Sequence, residues 1–511
     1  MSTTTTLAPF IYAFSRAHLR KFLFIGLLIT VSRQGAMTFG LALDDYASIS
    51  PSAASLFIDN NLRQGRPLIS FLFFVFDKLS VDLSAIYTVV APIHFFISSL
   101  LVLCIIDYLQ LLNSKYSTIG ALLIILHPYH SEIMTWREAQ LKSTIASILF
   151  VAYLFILRYD RPNFIGSWTL ATLLFFLISI TYQVFVSYVI TLTFLILLIY
   201  FHRCDSISTR TLPTQQLILL LSTSIVGFLC GFIFSLLLAK YYSISLESRA
   251  QLLTYDLATI RVQQLLNLLS REYFTGSSLL PLPIRHLTLI FLLGLVFTWL
   301  VSLRASLDVV TLFLARLVTL AFVLLSLPGI ILLSYDWWPS GRVLTHTTLV
   351  SGVCFLLLIE ESFWVDSLIA RSALLGISAA IITSWIAINA QIFHDQHIIN
   401  QHDLMLANRI VARLESLPGF SKTRRIYISG GNWRYESLPR TVFHDMNTSA
   451  KFQSWSKLNW LSLATGYTFE PPNKNLTQVG ALYCASTLPW PSVTSLSIIN
   501  DLLIVCLDES T

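Results

Sequence analysis

The chain has 511 residues, 55% of them hydrophobic and only 12% charged, with a formal net charge of +6 at pH 7. A charged share about half that of ordinary soluble proteins excludes a soluble globular enzyme. The small positive excess, spread without a basic stripe, argues against nucleic acid as a partner.

In chain order, apolar stretches of about 20 residues, the length that crosses a bilayer, recur through the first three quarters of the sequence and exclude a single anchor on a soluble enzyme. Spans are predicted near 22–42, 84–107, 117–134, 142–158, 166–181, 184–202, 215–240, 286–303, 309–333, 343–360 and 372–392, about eleven in all. The first is too long for a signal peptide and lacks a small-residue cleavage site, so it is expected to remain as a span. Arg16, His18, Arg20 and Lys21 precede it and Asp44 and Asp45 follow it. The amino terminus is therefore expected in the cytoplasm and the acid pair outside. Arg33, within this span, has no evident role. Alternation puts loops 44–83, 128–142, 241–285 and 334–342 outside, with everything after 392. These loops are rich in Arg and Lys, so either the orientation is reversed or the cations bind an anion. Spans broken at His127-Pro128 and Leu327-Pro328, and the short joint Thr181-Tyr182-Gln183, are of the kind tolerated where they line a cavity. In loop 241–285, Leu246, Ala250, Leu253, Leu257, Ile260 and Leu265 interleave with Glu247, Arg249, Asp256 and Arg261. That is the pattern of an amphipathic helix on the membrane surface, or of a gate over a lipid chain.

From about Gln391 the composition turns polar, and the remaining 393–511 suffice for one small α/β domain behind a membrane domain of 1–392. A helix is predicted over 396–417, ending at Pro418-Gly419, then a strand at Arg425 to Ser429 closed by Gly430-Gly431-Asn432, a helix near 448–461, and strands near 479–485 and 497–507. This tail has no phosphate loop, nucleophile elbow or metal-ligand spacing, and is expected to act as a lid or docking platform. Cys104, Cys230 and Cys354 lie in spans and Cys204 in a cytoplasmic joint. Only Cys484 and Cys506 fall where oxidation is expected, and spacing alone does not decide whether they pair.

Carboxylates at the lip of a span are costly to desolvate, so Asp44 and Asp45 ask for a chemical reason. One reason is capping the next helix. The other is proton removal from a hydroxyl, with an Arg nearby to grip a phosphate leaving group, and Gly65-Arg66-Pro67-Leu68 supplies that Arg. Further cations for a phosphate are Arg137, Lys142, Arg271, Arg285 and Arg342. Trp337 and Trp338, beside Asp336, are placed to stack on a sugar face or to sit in an interfacial aromatic belt. His127, His130 and Glu132 tempt a metal reading, but their spacing is not that of a zinc helix, and no metal or cofactor is expected.

Through Asp44-Asp45, Gly65-Arg66-Pro67-Leu68, the Pro128/Glu132 joint, Tyr182-Gln183, Pro339-Ser340-Gly341-Arg342, the helix carrying Asp403, Ala407 and Ile410, and the closing Pro489-Trp490-Pro491-Ser492, the chain resembles the serotype-converting O-antigen glucosyltransferases of phages and bacteria. These are polytopic membrane enzymes of the GT-C type. The resemblance implies transfer of glucose from undecaprenyl-phosphate glucose to a sugar of the lipid-linked O-antigen, at the periplasmic face of a bacterial inner membrane, by direct displacement with inversion. It implies Asp44 as general base, Asp45 as its positioning partner, Arg66, Arg342, Arg137 and Lys142 around the donor phosphate, and Glu132, His130, Tyr182, Gln183, Asp336, Trp337 and Trp338 about the substrates. Rival readings are a GT-C transferase with another sugar or with protein or lipid A as acceptor, and a lipid-linked sugar flippase. A flippase predicts charges buried at mid-span and two pseudo-symmetric halves, whereas most ionisable residues here fall at span ends and no repeat is visible.

Overall fold

A computed structural model describes residues 7–37, 41–42, 45–46, 53–81, 83–159, 164–204, 212–275, 286–301, 307–360, 367–420, 424–435, 438 and 446–508. The chain is mostly helical. Its helices are α1 (Leu7–Arg33), α2 (Ala53–Arg63), α3 (Pro67–Lys78), α4 (Leu83–Tyr108), α5 (Ser117–Ile125), α6 (Tyr129–Thr135), α7 (Arg137–Tyr159), α8 (Phe164–Ser179), α9 (Val184–His202), α10 (Thr214–Tyr241), α11 (Ala258–Leu269), α12 (Leu287–Val301), α13 (Leu307–Leu325), α14 (Thr348–Glu360) and α15 (Leu368–Glu415). Among the described residues, five helices, α4, α7, α9, α10 and α15, are long and apolar enough to cross a bilayer. The first predicted span, 22–42, is cut short: α1 ends at Arg33 and a 3-10 turn, Gln34–Met37, follows it. The remaining predicted spans are shorter apolar helices, or helices broken where proline removes a backbone donor.

Helix α14 is apolar all round, and every residue from Thr348 to Ile359 is buried, which makes it the axis of the bundle. Its neighbours share one continuous core that includes Phe150, Tyr153, Phe175, Leu192 and Phe355. Helix α10 is equally apolar but leaves Ile225, Leu229, Ile233 and Leu237 exposed, a face suited to lipid. Gly227 and Gly231 bring α10 against α8, since a Cβ on Gly231 would lie 1.9 Å from Ser179 Oγ.

The buried Arg33 now has an account. Its Nη2 donates to the carbonyls of Ile125 (2.8 Å) and His127 (3.2 Å), and its Nε to Ser131 Oγ (2.8 Å). A cation thus satisfies the carbonyl end of α5 where Pro128 breaks the span, the end that the helix dipole makes negative.

At one end of the bundle, Lys21 donates to the carbonyl of Leu112 (3.0 Å), Arg158 faces Asp107 (3.6 Å), Arg203 faces Glu360 (3.3 Å) and Arg316 donates to the carbonyl of Phe201 (2.9 Å). All of these lie on the side that alternation assigns to the cytoplasm. The opposite end carries the described residues of loops 44–83, 128–142 and 334–342, among them Arg66, Trp136 and Asp336, which line one cleft.

Helix α15 joins the predicted last span, 372–392, and the predicted tail helix, 396–417, into one: it runs unbroken from the bundle into the tail. Forty-eight residues make a helix of about 72 Å, more than twice the hydrocarbon thickness. Its carboxyl-terminal half, through Ala407, Ile410 and Leu414, forms a second core with Trp460, Leu503 and Val505 of the tail. The tail holds β1 (Arg425–Ser429), α16 (Ser454–Thr465), α17 (Lys474–Ser486), β2 (Leu496–Ile499) and β3 (Leu502–Cys506) in a three-stranded sheet of order β1-β3-β2, with β1 parallel and β2 antiparallel to β3. Asn500 and Asp501, both at positive φ, make the tight turn between β2 and β3. The strand expected at 479–485 is instead helix α17, started by Asn473, whose side chain accepts the amide of Leu476 (2.9 Å). A disulfide joins Cys484 on α17 to Cys506 on β3.

The amphipathic helix expected in loop 241–285 is shorter than its pattern. Residues 246–253 pair their backbone with the loop before Asp336, where Leu253 N donates to Leu333 O (2.9 Å) and Tyr335 N to Gln251 O (2.9 Å), and the helix begins only at Ala258.

Candidate functional site

A cleft enclosing about 1410 Å³, open solvent at its mouth included, lies where the predicted outer loops meet. Arg66, Lys142, Arg342, Glu138, Asp336, Tyr182, Gln183, Trp136 and Trp338 form its polar part. Phe228, Gly231 and Phe232 of α10 with Ile330, Ile331 and Leu333 form an apolar wall continuous with it. Leu246, Ala250, Gln251 and Leu252 line the cleft as well, in a segment pinned by the bond from Glu247 N to Arg63 O (2.9 Å).

Arg66 owes its position to its neighbours in sequence. Gly65 stands at φ +69°, a left-handed conformation that a side chain disfavours, and Pro67 opens α3 at a position where no backbone donor is needed. The chain thus reverses between α2 and α3 with Arg66 at the corner. Gln183 Nε2 donates to Gly65 O (2.8 Å), while Gln183 Oε1 accepts from Arg66 Nε (3.3 Å). Gln64 Oε1 accepts from Arg66 Nη1, and the guanidinium lies 5.4 Å from the centre of the Tyr182 ring. Tyr182-Gln183 is therefore the clamp that sets this arginine.

Arg342 reaches the cleft from the loop after Pro339. Its amide donates to Glu132 Oε2 (3.2 Å), its Nε lies 3.8 Å from Glu132 Oε1, and its guanidinium covers the Trp136 ring at 4.7 Å. Lys142, on the second turn of α7, donates to Glu138 Oε1 (2.8 Å). These cations are oriented before any ligand arrives, which is how a site avoids the cost of ordering long side chains on binding.

Several expected residues lie away from the cleft walls. Asp45 is fully buried, and its carboxylate accepts the amide of Ala42 (3.1 Å) and, through both oxygens, the amide of Arg137 (3.0 and 3.2 Å). It caps α7, a helix far along the chain, and not the next helix that its place in the sequence pointed to. Arg137 is buried at the same junction. Glu132 stands behind Arg342. His130, 3.2 Å from Thr348 Oγ1, lines a smaller inner cavity with His94 and Ser143, divided from the cleft by Tyr182. Trp337 stacks under Arg261 at 4.9 Å, and Asp336, at the cleft, accepts from Ser248 Oγ (2.5 Å). Arg271 pairs with Glu272 (2.9 Å). Asp44 and Arg285 lie outside the described residues.

Sequence reasoning missed Trp136 and Glu138, which line the cleft from the start of α7. Glu138 stands four residues before Lys142 and so one turn from it on the same helix face, but neither it nor Trp136 belongs to a motif.

No family model, no curated protein and no solved structure matches this chain.

Proposed function

We propose that the chain is a membrane glycosyltransferase of the GT-C type that uses a polyprenyl-phosphate sugar, with glucose the sugar implied by the resemblance and a lipid-linked O-antigen sugar the acceptor. The observation that carries this reading is the junction, within one cleft, of a pre-set cationic pocket with an apolar wall that leads toward the lipid-suited face of α10. A polyprenyl phosphate has that same division of charge and hydrocarbon. Arg66 and Arg342 would hold the phosphate as its bond to the sugar lengthens, countering charge that grows in the transition state. Asp44, as base, would take the acceptor hydroxyl's proton while that oxygen attacks the anomeric carbon from the opposite side. The phosphate leaves with the bonding electron pair, and the sugar configuration inverts. Asp45, the residue after Asp44 in sequence, binds the amino terminus of α7, and Trp136 and Glu138 of the cleft flank that terminus. The disulfide of the tail suits an oxidising compartment, in keeping with a site on the periplasmic side.

The test is transfer of radiolabelled glucose from undecaprenyl-phosphate glucose to lipid-linked O-antigen by membranes carrying the chain. The wild type is expected to transfer label and Asp44→Asn to lose at least about 100-fold in rate. Unchanged transfer by Asp44→Asn removes the base. Label that crosses sealed vesicles without forming a glycosidic bond replaces the enzyme with a flippase.

A further inference from the structure

Glu138 is the carboxylate of the cleft whose surroundings are the most fully built. It sits in the first turn of α7, buried to more than nine tenths. Asn61 Nδ2 donates to its Oε1 at 2.9 Å and Lys142 Nζ donates to the same oxygen at 2.8 Å. Asn61 is itself anchored by a second bond from Nδ2 to the carbonyl of Phe57 (2.8 Å). Among the described residues both bonds to the carboxylate fall on Oε1, and Oε2 is the oxygen left to serve the cleft that Glu138 lines.

We propose that Glu138 binds a hydroxyl of the transferred sugar through Oε2, and so selects a hydroxyl-bearing head over a bare lipid phosphate. This rests on the glycosyltransferase reading above. The chemistry favours recognition over proton removal. An ammonium at 2.8 Å stabilises the ionised carboxylate and weakens it as a base, yet leaves it a strong acceptor for an O–H donor. An acceptor in a cleft that a bound ligand fills penalises a ligand that brings no donor to it. Lys142 and Arg66, which line the same cleft, then address the phosphate, so the sugar and the phosphate of one donor are read within one cleft.

The experiment measures binding of a short-chain polyprenyl phosphate and of its glucosyl derivative to the full-length chain in detergent by titration calorimetry. The wild type is expected to prefer the glucosyl form by about tenfold or more. Glu138→Gln, which keeps the shape but places an amide where the acceptor stood, is expected to abolish most of that preference, and Glu138→Asp, which withdraws the charge by one methylene, to reduce it. Because the result is a ratio, any general weakening of the phosphate pocket cancels. Monodeoxy-glucosyl phosphates on the unmodified protein give a second arm that needs no variant: one position must bind no better than the bare phosphate. A ratio unchanged in Glu138→Gln, or a deoxy series without a sensitive position, overturns the role of Glu138 alone. If the wild type binds neither ligand, the transferase reading falls and takes this proposal with it.

Discussion

Arg66 shows how one residue is set by its neighbours. The left-handed Gly65, the ring of Pro67 and the two ends of the Gln183 amide fix the guanidinium before a ligand is present. Arg66→Ala should therefore lower transfer by at least about 100-fold, and Arg66→Lys, which keeps charge but loses the planar fork, should recover only part of it in the same radiolabel assay. A second residue, Asp403, bears on pH dependence. It lies on the tail half of α15, where Tyr435 Oη (2.7 Å), Ser449 Oγ (2.5 Å) and the amide of Ala450 (2.8 Å) donate to its carboxylate. Burial outweighs those donors and pushes the carboxyl up to about 6. Between about pH 4 and about pH 6 the folded chain then holds more protons at this group than the unfolded chain, so its contribution to stability is full at the acid end and is lost as pH rises. Two pKa units correspond to about 3 kcal/mol. Thermal unfolding of the wild type minus that of Asp403→Asn should fall by this order across the window and stay flat above it; a difference that rises with pH contradicts the assignment.

At the scale of elements, the apolar wall of the cleft depends on how closely α10 approaches α8. A Cβ at Gly231 would meet Ser179 Oγ at 1.9 Å and Ser179 Cβ at 3.1 Å. Gly231→Ala should cost about 1–3 kcal/mol in thermal unfolding, and adding Ser179→Ala should return part of that loss, since it removes the nearer of the two clashing atoms. Failure of the second change to recover anything would place the strain elsewhere. The same elements show what a sequence can and cannot tell. Helix α9, apolar and bounded by polar joints, was legible in its period and length. Helix α17 was not, because the short apolar run of Val479 to Cys484 reads as a strand unless the cap at Asn473 is noticed and the partner of Cys484 is known. The carbonyl end of α5 was equally hidden: Arg33 looks misplaced in a span until the broken helix it serves, some ninety residues later, is folded beside it.

For the whole molecule, the cleft gathers Arg66, Lys142, Tyr182, Gln183, Asp336, Trp338 and Arg342 from segments far apart in the chain. Those residues were visible one by one as polar groups at span ends, where charge is expensive without a purpose. Trp136 and Glu138 belong with them but carry no motif, so only the fold brings them in. Asp45 meets the amide of Arg137 at the start of α7, a contact 92 residues away in sequence that its position after the first span could not reveal. What unites the molecule in this account is a cleft built for a lipid with an anionic head, and photocrosslinking tests that most directly. A polyprenyl phosphate carrying a diazirine in its first isoprene units should label the segment around Phe228 and Phe232, and the label should be suppressed by unlabelled polyprenyl phosphate and by Arg66→Ala. Label spread over the lipid-facing helices, indifferent to both, would contradict it.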